Sequence, residues 1–116
     1  MNQLIYLAVP YSYKDSDPAK VMAVKEERFQ AVNKVAAKLM AEGNYIFSPI
    51  SHTHPIALAG SLPGDWQYWE GYDRCILSSC KKLMVLRLPG WETSTGVTEE
   101  RKIAEELGIP VEFIDP

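Results

Sequence analysis

The chain has 116 residues, 47% of them hydrophobic and 23% charged, with a net charge of −3. That is enough for one domain over residues 1–116, with one core, and too little for two. No basic cluster is present, which argues against a surface for duplex nucleic acid. No apolar run is long enough for a membrane span.

Met1-Asn2-Gln3-Leu4-Ile5-Tyr6 lacks a basic region and leads directly into a strand pattern, so no signal peptide is expected. Cys75 and Cys80 are the only cysteines. Two thiols in a well-cored chain fit a reducing cytoplasm, and a disulfide within one helix is geometrically awkward. With His52 and His54 they match no zinc-ligand spacing, so no metal is expected.

Leu4 to Val9 is an apolar run of strand length ended by Pro10. Tyr11 to Asp17 is polar and turn-like. Asp17-Pro18 then supplies an N-cap and a first-turn proline. The following helix shows three-and-four spacing through Val24, Arg28, Ala31, Val32, Val35, Ala36, Leu39 and Met40, and Gly43 ends it. Tyr45 to Phe47 is a short strand running into Ser48-Pro49. Residues 49–64, with three prolines and two glycines, read as a long connection, which in a compact domain is usually functional or mobile.

Asp65 is the expected cap of a helix from Trp66 to about Ser79. Lys82 to Leu88 is a third strand, and Pro89 to Thr95 a turn. A last helix ends at Gly108, and Val111 to Ile114 is a last strand. The order β-α-β-α-β-α-β predicts the α/β class. The expected architecture is a Rossmann-like, flavodoxin-like three-layer sandwich on a mostly parallel sheet of about four to five strands with right-handed crossovers. In such sheets ligands bind beyond the carboxyl ends of the strands. Those ends are Pro10-Tyr11-Ser12, Ser48-Pro49 and the Pro89–Gly96 loop.

Two acidic residues fall on the wrong side of their helices. In the last helix the apolar stripe is Val97, Ile103, Ala104 and Leu107, and Glu100 lies within it, whereas Glu99, Glu105 and Glu106 face elsewhere. In the preceding helix Trp66, Trp69, Ile76, Leu77 and Cys80 make the stripe, and Asp73 lies inside it. A carboxylate aimed at the core is costly unless it is paired, protonated or used. Glu100 is close to a helix N-terminus, whose dipole favours the ionised form and so suits a nucleophile or general base. Two such groups on successive crossovers suggest one pocket, with one group ionised and the other carrying a proton. In the plain structural alternative Asp73 accepts hydrogen bonds from backbone amides or pairs with Arg74 or Arg28. Tyr6, mid-strand on the face of Leu4 and Ala8, is either core or a partner of Glu100.

Other candidates are weaker. His52 and His54 in the long connection are solvated surface or contacts to a phosphate, base or sugar. Trp66 and Trp69 pack or stack on a base, and Trp91 in the turn before Glu100 has the better claim to a ligand face. Ser94-Thr95-Gly96 at a helix start offers a modest anion site. The chain has no Gly-x-Gly-x-x-Gly, Walker loop or Gly-x-Ser-x-Gly elbow, which argues against dinucleotide oxidoreductases, P-loop enzymes and α/β-hydrolases.

Ile5-Tyr6-Leu7-Ala8-x-Pro10, the long helix ending in Gly43, the strand into Ser48-Pro49, Asp73, and Ser94-x-Gly96-Val97-x-x-Glu100-x-x-x-Ala104 together resemble the nucleoside 2-deoxyribosyltransferase superfamily. That superfamily includes the deoxynucleoside 5′-monophosphate N-glycosidases. Ser48-Pro49-Ile50-Ser51-His52-x-His54-Pro55-Ile56 and Gly90-Trp91-x-x-Ser94-x-Gly96-Val97 resemble a small bacterial and phage branch, the DUF1937-like proteins. The match spans nearly the whole chain.

The resemblance implies that Glu100 attacks the anomeric carbon of a deoxyribosyl group, that Asp73 binds the sugar or protonates the leaving base, and that Tyr6 orients the nucleophile. Pro10, Ser12, Ser48, His52, His54, Trp69, Trp91, Ser94 and Gly96 would contact the substrate, a small-molecule nucleoside or nucleotide. No cofactor is implied, and a cytoplasmic homo-oligomer is. The chain departs from the transferases in having Pro89-Gly90-Trp91-Glu92-Thr93 before the glutamate helix and Val9-Pro10-Tyr11-Ser12 in place of a glycine-rich loop. Beside an N-glycosidic hydrolase or transferase stand a non-catalytic nucleotide-binding module and a purely structural domain.

Overall fold

A computed structural model describes residues 3–116. Its elements are β1 (Leu4–Ala8), α1 (Pro18–Ala41), β2 (Tyr45–Phe47), α2 (Pro49–Gly60), α3 (Trp66–Leu77), β3 (Lys82–Leu86), a 3-10 turn (Trp91–Thr93), α4 (Thr95–Leu107) and β4 (Val111–Ile114). The four strands form one parallel sheet in the order β2-β1-β3-β4. Side chains alternate across β1, and each face builds its own core. Ile5, Leu7 and Val9 pack with Val32 and Ala36 of α1. Tyr6 and Ala8 pack with Leu77 of α3 and Val97, Ile103 and Ala104 of α4. The result is the expected three-layer α/β sandwich. No helix among the described residues is long and apolar enough to cross a membrane.

The chain leaves β1 towards β2 on one side and returns to β3 on the other. Connections that diverge from neighbouring strands leave a crevice at the strands' carboxyl ends. This switch point lies between β1 and β3.

The main departure from expectation is residues 49–64. Instead of a loop, most of this stretch is α2, with a further helix in the β2-to-β3 crossover than the alternation predicted. Ser48 is its N-cap, accepting from the Ser51 backbone N–H, and Pro49 takes the first turn, where a missing N–H costs nothing. Pro55 inside the helix removes one backbone donor, and the Thr53 hydroxyl bonds the Pro49 carbonyl.

Smaller differences follow from local competition. The Asp17 side chain caps α1 as expected, but Asp65 stands before α3 without a side-chain cap bond. β1 and β3 are shorter than their apolar runs, and α3 ends at Leu77. Met40 and Leu107, placed in the inward stripes by spacing, are 52% and 44% exposed because each lies in the last turn of its helix, past the edge of the sheet core.

Candidate active site

β1 runs through the middle of the sheet and buries Tyr6 completely. Its hydroxyl donates a hydrogen bond to Glu100 Oε2. Glu100 reaches that point because α4 starts at Ser94, whose side chain caps the Val97 N–H, and packs on β3 and α3 through Val97, Ile103 and Ala104. Glu100 shares their face and is only 5% exposed.

Asp73 extends from α3 into the same space, close enough that its charge bears on Glu100 and Tyr6. Neither arginine that the sequence offers as its partner is used this way. Arg74 binds Glu106 at 3.0 Å. Arg28 spans two loops of the crevice, donating to the Ser12 carbonyl at 2.9 Å and the Pro89 carbonyl at 3.2 Å. The inward aspartate is therefore not explained by a local ion pair.

The electrostatics correct the expectation that the helix dipole keeps Glu100 ionised. Burial, then repulsion from Asp73, push Glu100 up to about 8, against the hydrogen bond from Tyr6, which lowers it. Burial pushes Asp73 up to about 7. The dipole effect fades within the first turn, and Glu100 lies beyond it, in the sixth position of α4. Tyr6 is raised well above the usual phenol range by burial and then by Glu100 and Asp73, so it stays a neutral donor. Two carboxyl groups in one low-dielectric space do not both ionise readily. The pair titrates as a unit and retains a proton near neutral pH.

These groups lie at a cavity of about 810 Å³. One wall comes from α3 and α4, with Asp73, Glu100, Trp66 and Trp69, and the other from α1 and α2, with Met22, Lys25, Thr53 and His54. The indole N–H of Trp69 donates to the Pro63 carbonyl at 2.7 Å, which holds the ring at the rim. The Ser12 hydroxyl donates to the Gly64 carbonyl at 3.2 Å, joining the loop after β1 to the α2–α3 connection. A Cβ on Gly64 would stand 3.1 Å from Lys25 Nζ, so the ammonium and this backbone approach closely.

Of the sequence candidates, Tyr6 and Glu100 are bonded together, and Asp73, Ser12, His54, Trp69, Ser94 and Gly96 line the same cavity as Glu100. The remaining candidates do not line it. Pro10 is buried behind Val9 and Tyr11. Ser48 is occupied in capping α2 and in a bond with Ser51. His52 is exposed beside Phe47, their ring centroids 6.0 Å apart. Trp91 packs against Phe113 at 5.4 Å, with the Arg101 guanidinium over its ring.

His54 differs from the solvated loop residue first envisaged: it is 2% exposed, inside α2. Sequence reasoning passed over Lys25, Thr53 and Ala57 as lining residues. The signal for the last two was present in Ile50, Thr53, His54 and Ala57, a three-and-four stripe across α2 that lines the cavity.

No curated protein matches the sequence. The family described as Domain of unknown function (DUF1937) matches residues 3–115, and the chain belongs to that family.

Proposed function

We propose that the protein cleaves, or transfers across, the N-glycosidic bond of a 2′-deoxynucleoside or its monophosphate, with Glu100 as nucleophile. The observation that carries this reading is buried Glu100 beside half-buried Asp73, with Tyr6 on Glu100, at a cavity large enough for a nucleoside. The resemblance to the nucleoside 2-deoxyribosyltransferase superfamily supports the same assignment.

In the first step a Glu100 carboxylate oxygen forms a bond to C1′ while the C1′–N bond breaks. The bonding electrons leave on the base nitrogen, which takes the proton of the Asp73 carboxyl group. In the second, water attacks C1′ and gives a proton to the Asp73 carboxylate. The C1′–O bond to Glu100 breaks, and both groups return to their starting state. A second base in place of water makes the reaction a transfer. This is the logic of retaining glycosidases.

The step needs the shared proton on Asp73, whereas burial favours it on Glu100. Positive charge developing at C1′ favours the productive arrangement, because it stabilises the neighbouring carboxylate. Tyr6 orients that carboxylate and partly offsets its desolvation. The resemblance also implies a homo-oligomer.

A second reading has one observation in its favour. With its proton retained near neutral pH, Glu100 is equipped to bind a nucleotide without attacking it. Incubation with a panel of 2′-deoxynucleosides and their 5′-monophosphates separates the two. The catalytic reading expects free base from the wild type and at least about a thousandfold less from Glu100→Gln. Equal release by both removes Glu100 as nucleophile. Thermal stabilisation by a nucleotide with no base released identifies a binding module.

A further inference from the structure

The carboxylate chemistry leaves His54 unused, although it is among the most deeply buried polar side chains of the chain. Its ring lies against Phe29, centroids 4.4 Å apart, and edge-on to Tyr11. Nδ1 is hydrogen-bonded to the Tyr11 hydroxyl. Among the described residues Nε2 is buried without a hydrogen-bond partner, and Glu26 Oε2 stands 3.7 Å away. That separation is too long for a hydrogen bond but well within direct electrostatic contact.

This arrangement selects a tautomer. A neutral imidazole carries one N–H. With the proton on Nδ1, the bare lone pair of the buried Nε2 would face an oxygen of the half-exposed Glu26 carboxylate, two acceptors opposed. With the proton on Nε2, the N–H points at the Glu26 side and Nδ1 becomes the acceptor. The Tyr11 hydroxyl then donates its only proton to Nδ1. Its remaining capacity is as an acceptor, and Tyr11 lines the cavity. The ammonium of Lys25 stands over the ring, 5.3 Å from its centroid, and His54 meets the ring on edge. The hydroxyl oxygen is thus the polar atom that Tyr11 can offer a ligand.

We propose that Glu26 and His54 fix the Tyr11 hydroxyl as a hydrogen-bond acceptor for a sugar hydroxyl of the bound nucleoside, on the wall that faces Asp73 and Glu100. Tyr11 contacts the ligand, and His54 and Glu26 act through it as positioning residues. The identity of the ligand rests on the nucleoside reading, whereas the direction of the hydrogen bonds does not. A fully ionised phosphate has no proton to donate, so it does not suit this acceptor, whereas a sugar hydroxyl does. The proposal also gives the His-x-His stretch two separate roles: His54 faces inward and sets the tyrosine, while His52 stays on the surface.

Two measurements test this separately. Long-range proton–nitrogen NMR on the ligand-free protein reads the His54 tautomer. The expected result is a protonated Nε2 and a bare Nδ1 whose shift changes in Tyr11→Phe, with the preference weakened in Glu26→Gln. A protonated Nδ1 in the wild type overturns the proposal whatever the ligand is.

Calorimetry in a Glu100→Gln background, which keeps the ligand intact, then compares 2′-deoxyadenosine with its 2′,3′-dideoxy and 2′,5′-dideoxy analogues. One of the two missing hydroxyls is expected to weaken binding about tenfold with Tyr11 present and to make little difference in Tyr11→Phe. Equal losses on both proteins overturn the contact. If none of the three nucleosides binds, the nucleoside reading fails and with it the sugar as donor, while the tautomer still decides the direction of the Tyr11 hydrogen bond.

Discussion

On the wall built by α1 and α2, most polar side chains find partners, His54 Nε2 being the exception. Ser51 joins Asn33 to Ser48, the Thr53 hydroxyl binds the Pro49 carbonyl, and the His54 Nδ1 meets the Tyr11 hydroxyl. On the wall built by α3 and α4, Glu100 takes one bond from Tyr6, and Asp73 lies nearby as a further source of negative charge rather than of compensation. The first arrangement offsets the cost of burial and gives the cavity a fixed shape. The second leaves much of that cost in place, and it appears as carboxyl groups that hold their protons far above the usual range. Unequal compensation of this kind distinguishes a reactive surface from a supporting one, although both are lined by polar side chains in one cavity.

The sharpest way to break this comparison is through the dependence of stability on pH. Glu100 and Asp73 have raised values in the fold, so each is neutral there over a range where the unfolded chain has already ionised. Their protonated forms are compatible with burial below the ordinary carboxyl range. As pH rises from there through about 7 and about 8, the unfolded state gains relative to the native one, and stability falls. From about pH 5 to about pH 9 the wild type is expected to lose several kcal/mol by urea unfolding, while Glu100→Gln keeps only the smaller part due to Asp73. Equal losses in the two proteins mean that Glu100 is not held as described. Substitutions of the partnered hydroxyls on the other wall should leave the slope unchanged.

Tyr6→Phe gives a smaller effect with two separable parts. The hydroxyl is buried and lowers the Glu100 value by bonding its charged form. Its removal moves Glu100 further up, readable as a higher midpoint in the carbon NMR titration of that carboxyl group. The lost bond costs about 1 kcal/mol of stability. An unchanged Glu100 midpoint would reduce Tyr6 to a packing residue.

The two walls were also unequally legible in the sequence. Glu100 and Asp73 stand out because a carboxylate at a three-and-four position among Val97, Ile103 and Ala104, or between Trp69 and Ile76, violates the pattern around it. Their protonation state was not legible. It depends on which helix packs across the cavity, a long-range property, and the local dipole argument pointed the other way.

Helix α2 was missed for a different reason. Asp17-Pro18 and Ser48-Pro49 are the same start signal, an N-cap residue followed by proline. The first was read as such because a long amphipathic stretch follows it. The second precedes a stretch containing Pro55 and Gly60, which reads as a connection. With α2 hidden, the inward position of His54 and its bond to Tyr11 were hidden too. Trp91 shows the converse, since a tryptophan in a turn beside the glutamate helix suggested a ligand face and instead covers Phe113 on β4.

The smallest expected effect comes from the supporting wall and completes the contrast. Ser51 Oγ bonds Asn33 Oδ1 and stands 2.7 Å from Ser48 Oγ, so one hydroxyl ties the start of α2 to the middle of α1. Ser51→Ala removes both side-chain contacts but keeps the backbone N–H that Ser48 caps. Asn33 is half-buried and exchanges the lost partner for water, and the buried Ser48 hydroxyl keeps the Ser51 backbone N–H. The expected loss is about 1 kcal/mol, the same at pH 5 and pH 9 because no ionisable group is involved. A loss that changes with pH would couple Ser51 to the carboxyl pair across the cavity. The two walls would then be parts of one network, and the division between reactive and supporting surfaces would fail.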